Sequence, residues 1–375
     1  MPSSSARTRP GVRQYVLTGL LVLLAAWTAM ACTTASPADE SRQTGTSTSV
    51  RCMTDVGVAT GTELLDLSQA QLNRELDAMR AMGAKWIRVG IEWDAIEPER
   101  GQFDWRSPDR VINTAVGRGF RVLALVHNTP RWARPNAAMP SMHTLPRNAD
   151  EYATFAGEAA ARYGDRVQNW EVWNEPNIIE FAKPRPDVRR YHDMLVAASR
   201  TIRERAGREV TIVSGGLAPA PESATRIAPD TFVRQLYALG ATDSWDAVAI
   251  HPYTYPALPN DQSTSSWNTF LRLPQIRRII DAAGGERTPI WITEFGAPTG
   301  GSRDRAVTPD QQAQAISTVL TSVGADPRYG PTFIYAPRDR GTDPNEIEDH
   351  FGLLYRDFTP KPAYRTIQDL TCRRR

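Results

Sequence analysis

From residue 54 onward, short apolar runs alternate with longer segments whose apolar residues recur at helical spacing. Candidate strands end near Gly57–Ala59, at Gly90 (WIRVG), His127 (VLALVH), Trp173 (NWEVW), Ser214 (VTIVS), His251 (AVAIH), Glu294 (IWITE) and Tyr335 (TFIY). The intervals are mostly about 35 to 48 residues, which leaves room for a loop, a helix and a return. Eight such units predict an α/β fold of the (β/α)8, or TIM, barrel type. The competing fold is a doubly wound open sheet, but no Gly-rich dinucleotide fingerprint follows the first strand.

Helix ends are legible as well. Ser68 with Gln71 forms a capping box, and Leu72, Leu76, Met79 and Gly83 fall on one face before the chain turns. Thr308, Pro309 and Gln311 repeat the device: a cap, a proline at the first helical position and a glutamine at the third. In a barrel the active site lies where the strands' C-terminal ends meet the following loops. Functional residues are therefore expected at the ends of the runs named above.

The first residues follow a different pattern. Arg7, Arg9 and Arg13 precede an apolar stretch from Tyr15 to Ala31, closed by Ala29-Met30-Ala31. A basic region, an apolar core and an A-x-A end predict a secretory signal over residues 1–31. A spanning helix is the alternative, and the stretch is short for one. Cys32 follows directly, and A-M-A-C resembles a bacterial lipoprotein lipobox, in which the cysteine is acylated after cleavage. That pattern prefers leucine where Ala29 stands, so ordinary secretion is the second reading. Nine of the eighteen residues 33–50 are Ser or Thr, which predicts a flexible tether over 32–53 and a single barrel domain over 54–372.

Composition narrows the function. With 375 residues, 41% hydrophobic and 23% charged, the chain has ordinary globular composition and ample length for one barrel. A formal net charge of +2 implies no polyanion partner, and Arg373 to Arg375 read as a frayed tail rather than a nucleic-acid patch. Five scattered histidines show no ligand spacing, so neither a metal nor another cofactor is expected. With Cys32 lipidated, Cys52 and Cys372 remain as an even pair bracketing the fold. A barrel brings its first and last elements side by side, and a disulfide between the two is the expectation in an oxidising compartment.

Two segments carry the chemistry. Trp173-Asn174-Glu175-Pro176 follows the fourth strand, and Thr293-Glu294-Phe295-Gly296 ends the seventh. Each places a carboxylate where an apolar strand meets the cleft, and buried carboxylates are rarely kept without a partner or a role. Paired carboxylates are what glycoside hydrolysis needs: one protonated acid for the leaving oxygen and one ionised group for the anomeric centre. The bland alternative for both glutamates is a structural salt bridge.

The order W-N-E-P, H-P-Y, T-E-F-G resembles clan A glycoside hydrolases, which are retaining enzymes on this barrel. The stretch from Arg162-Tyr163-Gly164-Asp165 through Asn169-Trp170-Glu171-Val172-Trp173-Asn174-Glu175-Pro176 is most similar to family 39, with family 5 the nearest competitor. Further likeness lies in Trp86–Glu99, in Phe351-Gly352-Leu353 and in Pro360-Lys361-Pro362-Ala363-Tyr364, so it runs from about residue 54 to 370. The resemblance implies Glu175 as acid/base and Glu294 as nucleophile. It implies that Asn174 contacts the sugar 2-hydroxyl, that Tyr253 holds Glu294 and that Arg88 lowers its pKa. His251 and His127 are expected on the cleft floor, and Trp173 and Trp132 are the candidates for stacking on sugar faces. About 40 residues follow Tyr335, too few for the β-sandwich that follows the barrel in family 39 xylosidases. The expectation is therefore the smaller, polysaccharide-active bacterial type. Tyr335 stands where many clan relatives place tryptophan, which predicts a reshaped floor.

The function expected is a retaining glycoside hydrolase, exported and monomeric, acting on an extracellular or cell-envelope polysaccharide. Contact with the membrane is expected only through a lipid on Cys32. A catalytically silent carbohydrate-binding lipoprotein and a transglycosylase using the same glutamates are the alternatives.

Overall fold

The computed structural model describes residues 52–372. Eight strands, β1 (Val56–Ala59), β2 (Trp86–Glu92), β3 (Arg121–His127), β4 (Asn169–Val172), β5 (Thr211–Ser214), β6 (Val248–Ile250), β7 (Ile290–Phe295) and β8 (Tyr329–Tyr335), form one sheet. Every pairing within it is parallel, in the order β5-β4-β3-β2-β1-β8-β7-β6. The remaining gap between β5 and β6 is bridged at Val213 and Ala247, with the Asp246 N–H donating to Ile212 O at 2.7 Å. The sheet thereby closes into the expected (β/α)8 barrel.

One principal helix follows each strand: α1 (Gln69–Met82), α2 (Arg106–Gly117), α3 (Ala149–Tyr163), α4 (Val188–Arg205), α5 (Pro229–Ala238), α6 (Thr269–Ala282), α7 (Pro309–Val323) and α8 (Pro362–Leu370). The caps read from sequence are formed. Ser68 and Gln71 exchange both capping-box bonds at the start of α1, and Thr308 and Gln311 do so at the start of α7. Gly83 closes α1 at φ 103°, a conformation that costs a side-chain-bearing residue and not glycine.

Two layers of side chains make the core. Outward residues of the strands, such as Ile87, Val89 and Ile91 on β2, pack against the buried faces of the helices. Inward residues fill the barrel floor, where Trp86 meets Trp291 at 5.5 Å and Phe333 at 6.1 Å, both edge to face. A Cβ on Gly57 would lie 2.5 Å from the Phe333 ring, so β1 must be bare there for the floor to close. Along β2 the inward face then reads Trp86, Arg88, Gly90, Glu92, an apolar floor rising to polar groups at the mouth. Cys52 and Cys372, 320 residues apart, form the expected disulfide. It ties the chain before β1 to the end of α8, beside the Met53 N–H to Leu370 O bond. No helix among the described residues is long and apolar enough to cross a membrane.

Candidate active site

A cleft of about 860 Å³ opens at the C-terminal end of the strands, with Arg88, Asn174, Glu175, Tyr253 and Glu294 in its wall. Strict alternation along β7 would send either Thr293 or Glu294 outward. The pairing of β7 with β8 slips between Ile292 and Phe295, and this irregularity turns both side chains to the interior. At the end of β4 the backbone does the same work. Trp173 and Glu175 take left-handed conformations, at φ 70° and 43°, as does Asn128 after β3 at φ 66°. Such conformations cost on the order of 1–3 kcal/mol each and cluster where surrounding structure enforces them. The effect is that Glu171, Asn174 and Glu175 face inward while Trp173 swings out.

Arg88 is the hub. Its Nε donates to Glu171 Oε2 at 2.5 Å, its Nη1 to Glu294 Oε1 at 2.5 Å and its Nη2 to Asn174 Oδ1 at 2.9 Å. It is buried, yet the two carboxylates outweigh that burial and hold the guanidinium charged. Tyr253 donates its phenol to Glu294 Oε2 at 2.8 Å, so both oxygens of Glu294 accept a bond. His251, fully buried, sits with Nδ1 at 2.9 Å from Glu175 Oε1 and Nε2 at 2.9 Å from Thr293 Oγ1. One oxygen of Glu175 and one of Glu294 lie within 4.8 Å of each other.

The two glutamates are driven apart in proton affinity. Burial is the largest influence on Glu175 and raises its pKa; His251, when protonated, and Arg88 oppose the rise, and the Glu294 charge adds to it. Burial pushes Glu294 the same way, but His251, Arg88 and the Tyr253 hydrogen bond together overcome it and leave Glu294 below its ordinary value. The surroundings thus favour the protonated form of Glu175 and the ionised form of Glu294 a few ångströms apart, the division that two-carboxylate chemistry requires.

Most sequence-predicted residues meet here: Arg88, Asn174, Glu175, His251, Tyr253 and Glu294 share this network. His127 lines the cleft, and neither ring nitrogen has a partner among the described residues; burial pushes its pKa down to about 3. The two tryptophans do not fit their expected role. Trp173, turned outward by its own backbone, packs edge-on against Tyr152 and donates its indole N–H to Phe181 O at 2.8 Å. Trp132 donates to Glu97 O at 3.0 Å, meets Trp93 edge to face and is covered by the Arg100 guanidinium. Both serve packing, and neither lines the cleft. Tyr335 does line it, donating to Glu348 at 2.7 Å, so the altered residue at the end of β8 does face the site.

Three contributors escaped the sequence reading. Glu171 accepts from Arg88, from the Gly216 N–H at 3.0 Å and from the Thr293 hydroxyl at 3.0 Å. Its signal was a lone glutamate inside the apolar run NWEVW. Thr293 stood in the T-E-F-G segment with no role of its own, and Gly216 carried no signal, because their importance lies in what surrounds them.

The sequence matches the model for "Cellulase (glycosyl hydrolase family 5)" over residues 42–325. The chain belongs to glycosyl hydrolase family 5. Among curated proteins it is similar to β-glucosidase A of Thermotoga maritima, at 27% identity over 110 residues, 28% of this chain and 24% of that protein. The match thus spans about a quarter of that relative. Among solved structures, a family 39 glycoside hydrolase from Bacteroides cellulosilyticus WH2 aligns with a TM-score of 0.68 at 23% identity, covering 85% of this chain and 64% of that one. A GH5_18 protein from Streptomyces cattleya in complex with GlcNAc aligns with a TM-score of 0.63 at 18% identity, covering 86% and 81%. At these identities the structural likeness shows the fold. Both families suggested by the motifs recur, family 5 by sequence and family 39 by fold.

Proposed function

We propose that this family 5 member is a retaining glycosidase, exported from the cell, that cleaves an extracellular or envelope polysaccharide by double displacement. The observation that carries the proposal is the approach of Glu175 to Glu294 within 4.8 Å. Retaining enzymes hold their carboxyl groups about 5–5.5 Å apart, whereas inversion needs about 6.5–9.5 Å to admit a water between carboxylate and sugar. In the first step Glu294 attacks the anomeric carbon as the bond to the leaving oxygen breaks, and Glu175 gives that oxygen a proton. In the second, water attacks the glycosyl ester, Glu175 takes the water's proton and Glu294 departs as carboxylate.

The supporting groups have natural parts in this scheme. Arg88 and Tyr253 occupy the oxygens of Glu294 and keep it ionised and aimed. Asn174 accepts through Oδ1 from Arg88, which leaves its NH2 as the group to donate to a sugar 2-hydroxyl. His127, held neutral by burial with both nitrogens unpartnered, suits a hydroxyl further along the sugar. Export rests on the signal-like residues 1–31, and membrane attachment rests on Cys32; both lie outside the described residues.

The test is mass-spectrometric trapping with a panel of activated 2-fluoroglycosides. A glycosyl adduct on the peptide carrying Glu294 is expected, and the sugar that labels fastest names the glycone. Labelling elsewhere, or an inverted anomer as the first product by proton NMR, would refute the mechanism. Absence of both labelling and turnover across the panel would leave the silent-scaffold reading.

A further inference from the structure

We infer that Thr293 and Glu171 fix the tautomer of His251, with Nε2 always protonated, and so make its Nδ1 the proton partner of Glu175. The inference rests on the acid/base role proposed for Glu175, but the proton placement itself follows from counting donors.

The Thr293 hydroxyl has one hydrogen and two close neighbours, Glu171 Oε1 at 3.0 Å and His251 Nε2 at 2.9 Å. Glu171 is ion-paired to Arg88 and accepts the Gly216 N–H, so it has no hydrogen to give. The hydroxyl hydrogen must therefore point to Glu171, since two bare oxygens at 3.0 Å would repel. That leaves the hydroxyl oxygen as acceptor, and Nε2 as the donor to it. Glycine at 216 is part of the arrangement, because a Cβ there would stand 2.0 Å from Nε2.

What remains variable is Nδ1, which faces Glu175 Oε1 at 2.9 Å and Glu294 Oε2 at 3.7 Å. The charged and titratable groups around the ring are Glu171 from β4, Glu175 from the loop after it, Glu294 from β7, Tyr253 with its ring 6.4 Å away, and Arg88 beyond Glu171. With Nε2–H fixed, a neutral His251 presents only a lone pair to Glu175 and favours the protonated carboxyl. A doubly protonated ring instead donates to the carboxylate left after proton transfer. In neither case does a neutral Nδ1–H tautomer stabilise an ionised Glu175. Thr293 and Glu171 thus act as positioning residues that keep Glu175 an acid.

Replacing Thr293 by valine keeps the shape and removes the acceptor. Nε2–H would then face a methyl group, every form of the pair that needs it would be penalised, and the ring would turn to the Nδ1–H tautomer. Glu175 would ionise at lower pH. A merely space-filling Thr293 would leave the pH profile unmoved, because valine fills the same space.

The experiment uses the full chain, labelled with 15N, and long-range proton–nitrogen spectra of the histidine rings across pH, with His251→Gln to assign the signals. Nε2 of His251 is expected to carry a proton at every pH where the fold persists. In Thr293→Val the Nδ1–H tautomer should appear, and the basic limb of kcat/KM on an activated aryl glycoside should move down by about one pH unit. Thr293→Ser should restore both. An unprotonated Nε2 in the wild type overturns the inference, and so does a folded Thr293→Val with an unshifted basic limb. If the wild type hydrolyses none of the glycosides, the proposed function fails while the ring spectra still decide the tautomer. The same wild-type spectra decide it if the valine variant does not fold.

Discussion

Arg88 holds Glu294 and Glu171 at once, with Nη1 2.5 Å from one carboxylate and Nε 2.5 Å from the other. Its planar fork reaches both, and a lysine offers a single point charge instead. Arg88→Lys should keep the fold, lower kcat/KM by about 100-fold and raise the pKa of Glu294. Because protonating Glu294 would set the acid limb, that limb should move to higher pH. Arg88→Ala leaves the buried Glu171 and the half-buried Glu294 without their cation and should cost about 3–5 kcal/mol of stability. Chemical denaturation and a pH–rate profile check both; an unmoved acid limb in Arg88→Lys would count against the ion pair as the cause of the Glu294 shift.

Gly216 should tolerate no side chain. A Cβ would lie 2.0 Å from His251 Nε2 and 2.6 Å from Thr293 Oγ1, so Gly216→Ala must push the imidazole off Glu175. We expect a loss of about 1–3 kcal/mol and more than about tenfold in kcat. Gly117→Ala, at the end of α2 with nothing within 4 Å, is the control and should be neutral or stabilising by up to about 1 kcal/mol. Equal effects for the two would mean that close approach at Gly216 is not what matters.

His127 should make the fold acid-sensitive. Its pKa is about 3 in the folded state, against about 6.5 in an unfolded chain. Between those values the unfolded chain binds a proton that the folded one refuses, so stability falls as pH falls. From pH 6 to pH 4 this group alone should remove roughly 2–3 kcal/mol. His127→Gln should flatten that part of the stability curve, measured by denaturant titration at each pH. A curve as steep as the wild type's would assign the acid sensitivity elsewhere.

The Cys52–Cys372 disulfide closes nearly the whole domain into one loop, its two ends 320 positions apart. A crosslink of that span restricts the unfolded chain, and its removal should cost about 2–4 kcal/mol. The Cys52→Ser/Cys372→Ser double variant should melt several degrees lower yet keep its kcat, because the bond lies at the opposite end of the barrel from the cleft. Lost activity at a temperature where the variant is folded would show that the two ends are coupled.

With Cys32 as the proposed lipid attachment point, Cys32→Ser is expected to give a protein free of the membrane or to block its processing, as read by fractionation and by the mass of the mature N-terminus. A soluble mature chain that begins well beyond residue 32 would remove the lipid anchor and leave export standing.

The pattern along the chain was enough to determine the eight strands, the barrel, the helix caps and the two glutamates. Each of these is written locally, in an apolar run, in Ser68 with Gln71, or in a carboxylate placed at a strand end. The barrel then joins distant strand ends by rule, and the resemblance to clan A hydrolases is what grouped Arg88 and Tyr253 with Glu294. Side-chain direction was another matter. Trp173 stands beside Asn174 and Glu175, and only the left-handed backbone at Trp173 sends it outward while they turn in. Thr293 and Glu294 are neighbours that alternation should separate, and only the slipped β7–β8 register lets both face the cleft. Glu171, Thr293 and Gly216 lie up to 122 residues apart, and their bonds exist only once the closed barrel brings β4, the end of β5 and β7 around one interior. Local sequence sets which elements form, because the period of burial is a local property. Which hydrogen goes to which oxygen depends on distances of about 3 Å between remote strands, and those exist only in the closed barrel.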